Sequence, residues 1–97
     1  MKKDLPHIHP GEILLEEFMN PLNLAVNQLS KALGVPTNRI TSIISGQRGI
    51  TADTAFRLQR YFGLEPQFWL NLQNSYDIEI SEEKIKDKIS SITRGLS

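Results

Sequence analysis

Cysteine is absent from this chain of 97 residues. Its absence excludes disulfides, thiol catalysis and cysteine-based zinc fingers, and fits a reducing, cytoplasmic location. Long hydrophobic runs are missing too. No stretch reaches membrane-spanning length, and no apolar signal-peptide core follows Met1-Lys2-Lys3. No membrane partner is therefore expected. Histidine is limited to His7 and His9. Two histidines in an irregular arm, without cysteine, are a poor ligand set, so no metal and no cofactor are expected. There is also no glycine-rich phosphate loop and no nucleophile beside a general base, so catalysis is not expected. The pairs Glu16-Glu17 and Glu82-Glu83 read as surface charge.

Net charge is the next absence. Eleven basic and eleven acidic residues cancel to zero. The distribution is more informative than the sum. Residues 1 to 17 carry two lysines against Asp4, Glu12, Glu16 and Glu17, a surplus of −2. From Phe18 to Ala52 there is no acid at all, while Lys31, Arg39 and Arg48 leave +3. Residues 53 to 80 return to −2 and residues 81 to 97 to +1. An acid-free stretch is one that a polyanion tolerates, although so few cations neutralise few phosphates.

The periodicity is helical, and no strand, internal repeat or low-complexity segment is predicted. The fold class expected is all-α with five or six helices. Residues 1–7 read as a flexible arm, residues 8–78 as one compact domain and residues 79–97 as a C-terminal helix or tail. A chain of this size buries a modest core, so dimerisation would add useful stability.

Pro10 starts a first helix with Ile13, Leu14 and Phe18 on its apolar side, stopping near Asn20-Pro21. A second runs from Val26 to Leu33, with Val26, Leu29, Ala32 and Leu33 inward, and Gly34 ends it in the left-handed conformation. A third begins at Pro36 or Thr37 and buries Ile40, Ile43 and Ile44. After the loop Ser45-Gly46-Gln47-Arg48-Gly49, Thr51 caps a fourth helix, and Asp53 suits its N-terminal dipole. The fourth buries Ala55, Leu58 and Tyr61 or Phe62, and Gly63 closes it. A fifth runs from Pro66 to about Asp77, and Ser81 with Glu82-Glu83 begins a sixth.

Two short helices joined by a glycine-containing turn, residues 26–33 and 37–45, form the helix-turn-helix pattern. The second helix exposes Thr37, Asn38, Arg39, Thr41 and Ser42. Set in a DNA major groove, Arg39 suits bidentate contact with guanine and Asn38 with adenine. Thr37, Thr41 and Ser42 can donate to bases or phosphates, and the threonine methyls can meet thymine. Asn27, Gln28, Gln47 and Arg48 are placed to hold phosphates. The plainer reading of the same polar residues is a solvated helix face.

The fifth helix is apolar on more than one side, so it needs cover from more than one direction. Phe68 and Trp69 cannot both face one monomer core. Trp69 reads either as a core aromatic or as a dimer anchor. The candidate dimer residues are Phe68, Trp69, Leu72, Tyr76, Ile85 and Ile89. A two-fold dimer would match half-sites one DNA turn apart, about 34 Å.

Five segments together resemble the HigA/VapI-type antitoxins of the Cro/C1-type (XRE) helix-turn-helix family. They are His9-Pro10-Gly11-Glu12, Gln28-Leu29-Ser30-Lys31-Ala32-Leu33-Gly34-Val35, Ser45-Gly46-Gln47-Arg48-Gly49-Ile50-Thr51, Phe62-Gly63-Leu64 and Phe68-Trp69-Leu70-Asn71-Leu72-Gln73. The resemblance implies a lambda-repressor-like fold and a homodimer that represses its own operon by binding double-stranded operator DNA. It also implies a RelE-like, mRNA-cleaving toxin as partner. Its departure is Pro36, where the family usually has a capping serine or threonine. Two other readings stay open at this point: a solitary or phage-type regulator, and a protein-interaction module that no longer reads DNA. For a basic toxin, the acidic clusters Glu12, Glu16, Glu17 and Asp77, Glu79 are the two docking options.

Overall fold

The computed structural model describes residues 7–95, all of whose regular structure is helical. The first helix, α1, occupies residues 10–19 and has two parts. Pro10–Ile13 is an α-helical turn and Leu14–Met19 is π-helical. The widened turn is closed by Asn20 N–H donating to the Leu15 carbonyl at 2.8 Å. It brings Leu14 and Met19 fully inside, with Phe18 half-buried beside them. Local periodicity alone predicts no such widening, which is why Met19 is absent from the expected apolar stripe.

Helix α2 is Val26–Leu33, α3 is Thr37–Ile44 and α4 is Ala52–Phe62. The expected caps hold. Gly34 and Gly63 take φ values of 72° and 90°, and the Thr51 hydroxyl accepts from Thr54 N–H. Pro36 is the N-cap residue of α3 and supplies no side-chain bond, so Thr37 is its first helical residue. One inward assignment changes: Ala32 is exposed, and the inner face of α2 is Leu29, Ser30 and Leu33.

The final helix departs most from expectation. A single helix α5, Pro66–Ile89, replaces the predicted fifth and sixth. Its 24 residues span about 36 Å at 1.5 Å each. Ser81-Glu82-Glu83 looks like a cap locally, but neither glycine nor proline occurs between Pro66 and Gly95, so nothing stops the helix there.

The core joins Leu14, Leu29, Leu33, Ile40, Ile43, Ile50, Ala55, Leu58 and Trp69. Trp69 is 0% exposed, with Phe18 and Phe68 packed around it at centroid separations of 4.9 and 5.0 Å. Trp69 is therefore a core residue and has no surface to offer a dimer. Leu72 packs on the core, and Tyr76 meets the ring of His9 at 4.8 Å, so both face their own chain. Of the six dimer candidates, Phe68, Ile85 and Ile89 remain exposed, by 37%, 40% and 46%.

Gly11 shows why a glycine stands in the first helix. It is buried where α1 crosses α3, and a Cβ there would lie 1.8 Å from the Ile43 carbonyl oxygen. His9 Nδ1 accepts from Gly11 N–H at 2.9 Å and caps the same turn. The predicted flexible arm lies outside the described residues except for His7. That residue is not free. It donates from Nδ1 to Glu79 at 3.1 Å and from Nε2 to Glu83 at 2.7 Å, so its ring is held against α5.

Candidate nucleic-acid interface

The α2–α3 pair is positioned from three sides. Gly11 lets α1 press against the end of α3. Ile40 and Ile43 anchor the inner face of α3. Arg57 of α4 reaches the α2–α3 turn, where its Nη1 donates to the Leu33 carbonyl at 2.7 Å and the Gly34 carbonyl at 3.3 Å. Those carbonyls end α2 and lack helical partners, so a guanidinium is well suited to them.

The expected site residues divide into three groups. Thr37, Asn38 and Thr41 are exposed on α3, as are Asn27 and Gln28 on α2 and Gln47 and Arg48 in the following loop. Ser42 is half-buried, and its carbonyl accepts from Gln47 N–H at 2.9 Å and Arg48 N–H at 3.1 Å, shaping that loop. Two side chains are partly occupied within the chain. The Thr41 hydroxyl donates back to the Asn38 carbonyl at 3.3 Å, and Gln28 Oε1 accepts from Ala25 N–H at 2.8 Å. The Gln28 amide nitrogen keeps its two donors.

Arg39 is the third group by itself. Its Nη1 donates to Asp53 Oδ2 at 2.8 Å, and Arg57 Nε donates to the same oxygen at 3.0 Å. These bonds, from Arg57 and then Arg39, hold the Asp53 carboxyl below its ordinary range. The acid-free segment is thus not an acid-free surface: Asp53, the first residue past its end, folds back over α3. Sequence reasoning assigned Asp53 only to the helix dipole, because a pairing across 14 residues leaves no local trace. Arg39, Arg48, Asp53, Arg57 and Gln73 line one open cleft of about 720 Å³ beside α3.

Gln73 is a second residue whose role only the structure reveals. Its Oε1 accepts from Ile50 N–H at 2.7 Å, and its Nε2 donates to Asp77 at 3.0 Å. The segment after α3 is thereby fastened to α5. Gly49 gives Gln73 room, since a Cβ there would lie 2.9 Å from the amide. No group of three or more metal-binding side chains occurs among the described residues. No described helix is long and apolar enough to cross a membrane.

A short helix presented outward beside a glycine turn, over a core shared with four other helices, defines a helix-turn-helix protein. A family profile described as Helix-turn-helix matches residues 15–69. The chain is 54% identical over 82 residues to virulence-associated protein I of Dichelobacter nodosus, covering 84% of this chain and 76% of that one. A HigA-family addiction-module antidote protein from Coxiella burnetii superposes with a TM-score of 0.86 at 50% identity, over 93% of this chain and 98% of that one. Pseudomonas aeruginosa antitoxin HigA, solved with the higBA promoter, superposes with a TM-score of 0.89 at 38% identity, over 95% of this chain and all of that one. The chain belongs to the HigA/VapI-type branch of the Cro/C1-type helix-turn-helix family.

Proposed function

We propose that this protein is a sequence-specific operator-binding repressor and the antitoxin of a HigBA-like pair. The observation that carries the reading is the exposed polar face of α3, Thr37, Asn38 and Thr41, with Gln47 and Arg48 beside it. Solved relatives of the same fold include one described with promoter DNA and another, antitoxin GraA, in complex with its operator. Thr37, Asn38, Arg39, Thr41 and Ser42 read bases in the major groove, and Asn27, Gln28, Gln47 and Arg48 hold phosphates. Two copies of the chain, joined through exposed residues of α5, bind a two-fold operator. A RelE-like toxin, basic because it cleaves RNA, docks on Glu12, Glu16 and Glu17. These are exposed, whereas Asp77 and Glu79 are engaged by Gln73 and His7.

The test is a gel-shift titration against the chain's own upstream promoter, beside a scrambled duplex, at physiological salt. The repressor reading expects tight binding to the promoter alone. Equal, weak binding to both duplexes would refute it. Arg48→Ala should weaken binding to both and flatten the salt dependence. For the toxin, charge reversal at Glu12, Glu16 and Glu17 should abolish co-purification with a co-expressed RelE-like partner, and retained binding would clear that face.

A second reading has one observation in its favour. Arg39 is already paired with Asp53, as in a scaffold that no longer reads DNA. It expects no preference for the promoter, and Arg39→Ala to leave every activity unchanged.

A further inference from the structure

We propose that Asp53 is a positioning residue for base recognition: through Arg57 it is braced against the α2–α3 turn, and it holds Arg39 by Nη1 so that the opposite edge of the guanidinium faces guanine. The inference rests on the reading of α3 as the recognition helix. It deepens that reading by naming a residue outside the helix that sets its specificity.

The chemistry follows from the donor count. A guanidinium carries five N–H donors in a fixed plane. The bond to Asp53 uses one of them, on Nη1, and is the one side-chain hydrogen bond of Arg39 among the described residues. The Nε and Nη2 edge keeps two parallel donors, the pattern that matches guanine O6 and N7. An unbraced arginine samples many rotamers and must lose that freedom on binding, whereas a braced one has already lost it. The brace is itself fixed. Asp53 Oδ2 also accepts from Arg57 Nε at 3.0 Å, and Arg57 Nη1 is bonded to the Leu33 and Gly34 carbonyls. A continuous polar chain therefore runs from the end of α2 through α4 to the third residue of α3.

The brace also sets a sign that a plain stability role would not produce. Asp53 is a negative charge beside the proposed DNA surface, with its side chain 57% exposed. Removing that charge raises affinity for any duplex, because less repulsion opposes the phosphates. Removing the brace lowers discrimination at the one base pair that Arg39 reads. Asp53→Asn is the probe: it keeps the shape and removes the charge-assisted hold.

The experiment measures fluorescence-anisotropy affinities of the wild type, Asp53→Asn, Asp53→Glu, Arg39→Ala and the Asp53→Asn/Arg39→Ala pair. The panel of duplexes changes the operator one base pair at a time and includes a scrambled control. The wild type and Arg39→Ala locate the Arg39 base pair. Asp53→Asn should lose about tenfold in discrimination at that pair and little elsewhere, while binding the scrambled duplex more tightly. The effect should vanish in the Arg39→Ala background, and Asp53→Glu should restore part of it. An even loss at every position, or an unchanged profile in Asp53→Asn, would overturn the inference while leaving the repressor reading intact. A wild type that does not discriminate, or an Arg39→Ala protein with the wild-type profile, would remove Arg39 as a base reader and the inference with it. Thermal melts of each variant identify any that fail to fold. For such a variant, Arg57→Lys replaces Asp53→Asn as the way to loosen the brace, with the same expected loss at the Arg39 base pair but, because the charge of Asp53 stays, no gain on the scrambled duplex.

Discussion

In the body of the molecule, residues 10–76, apolar side chains at helical spacing meet one another: Leu14, Ile40, Ile43, Leu58 and Trp69 are fully buried. In the distal part of α5, the same spacing meets water. Every described residue from 81 to 95 is exposed, including Ile85, Ile89 and Ile92. Both regions are helix, but they are held differently. The body is fixed by tertiary packing, and the distal part is carried by continuity with the packed half of its own helix. An isolated helix of that length is marginal in water. Apolar periodicity therefore reports that a face needs burial, without reporting that its own chain supplies it. In this protein the first region makes the fold, and the second leaves an apolar stripe uncovered by its own chain.

The sharpest way to break the body is at Gly11. In Gly11→Ala the new Cβ would fall 1.8 Å from the Ile43 carbonyl oxygen, so α1 and α3 must part. The clash is with backbone, which cannot rotate aside. We expect a loss of about 3 kcal/mol or more, read by chemical denaturation. Because the distal helix is carried by the packed half of α5, its helical signal should be lost in the same transition as that of the body. A variant as stable as the wild type would show that the crossing is loose.

The distal region is tested by Ile85→Asp/Ile89→Asp. Neither isoleucine contributes to the buried core of one chain, so the melting of the body should shift little once dimer linkage is removed by dilution. Self-association, followed by sedimentation equilibrium, should weaken by about a hundredfold or more, roughly 2.7 kcal/mol. Operator affinity should fall with it, since one half-site binds less tightly than two. Undiminished dimerisation would move the interface to Phe68 and the surface around it.

These two tests also mark what the sequence could and could not disclose. Gly34, Thr51 and Gly63 were legible because a cap is a local signal, read from one residue and its neighbours. The outward face of α3 was legible because three isoleucines settle its inner one. The continuity of α5 is hidden at Ser81, where a local cap signal competes with the absence of any breaker downstream. The π-helical turn of α1, the Arg39–Asp53–Arg57 brace and the bond from Gln73 to Ile50 had no local signature. Each depends on which elements meet in space. The family-specific segments did mark Gln73 and Gly49 together, and the structure supplies the reason: the glycine makes room for the amide.

That junction gives a smaller test, at the boundary between the regions. Gln73→Ala leaves Ile50 N–H, in a part-buried position, without its acceptor. The expected cost is about 1–2 kcal/mol. The loop of Gln47 and Arg48 should also loosen, so amide exchange near Ile50 should rise while exchange beyond Ser81 stays the same. A change spread evenly along α5 would mean that its two halves are one cooperative unit.

The smallest effect separates the regions by pH, through His7 and His9. His7 donates from both ring nitrogens, to Glu83 and Glu79, which requires the imidazolium. Those hydrogen bonds raise its pKa above the ordinary 6.5. A raised folded pKa means that the stabilisation is fully present below pH 6.5 and is lost as pH rises through the folded value. His9 has the opposite character. Its Nδ1 must be unprotonated to accept from Gly11 N–H, and burial lowers its pKa below 6.5 although the charges of Asp77 and Glu12 act the other way. A lowered folded pKa means that its stabilisation is present above pH 6.5 and is lost as pH falls through the folded value. Acidification should therefore tighten His7 on α5 near Glu79 and Glu83 while loosening the first turn of α1. Amide exchange, corrected for its intrinsic pH dependence, reads both at once. His7→Gln should abolish the first trend and leave the second, and His9→Ala should do the reverse. Parallel trends at the two sites would show that a single cooperative structure responds to pH, with no division between the body and the helix that extends from it.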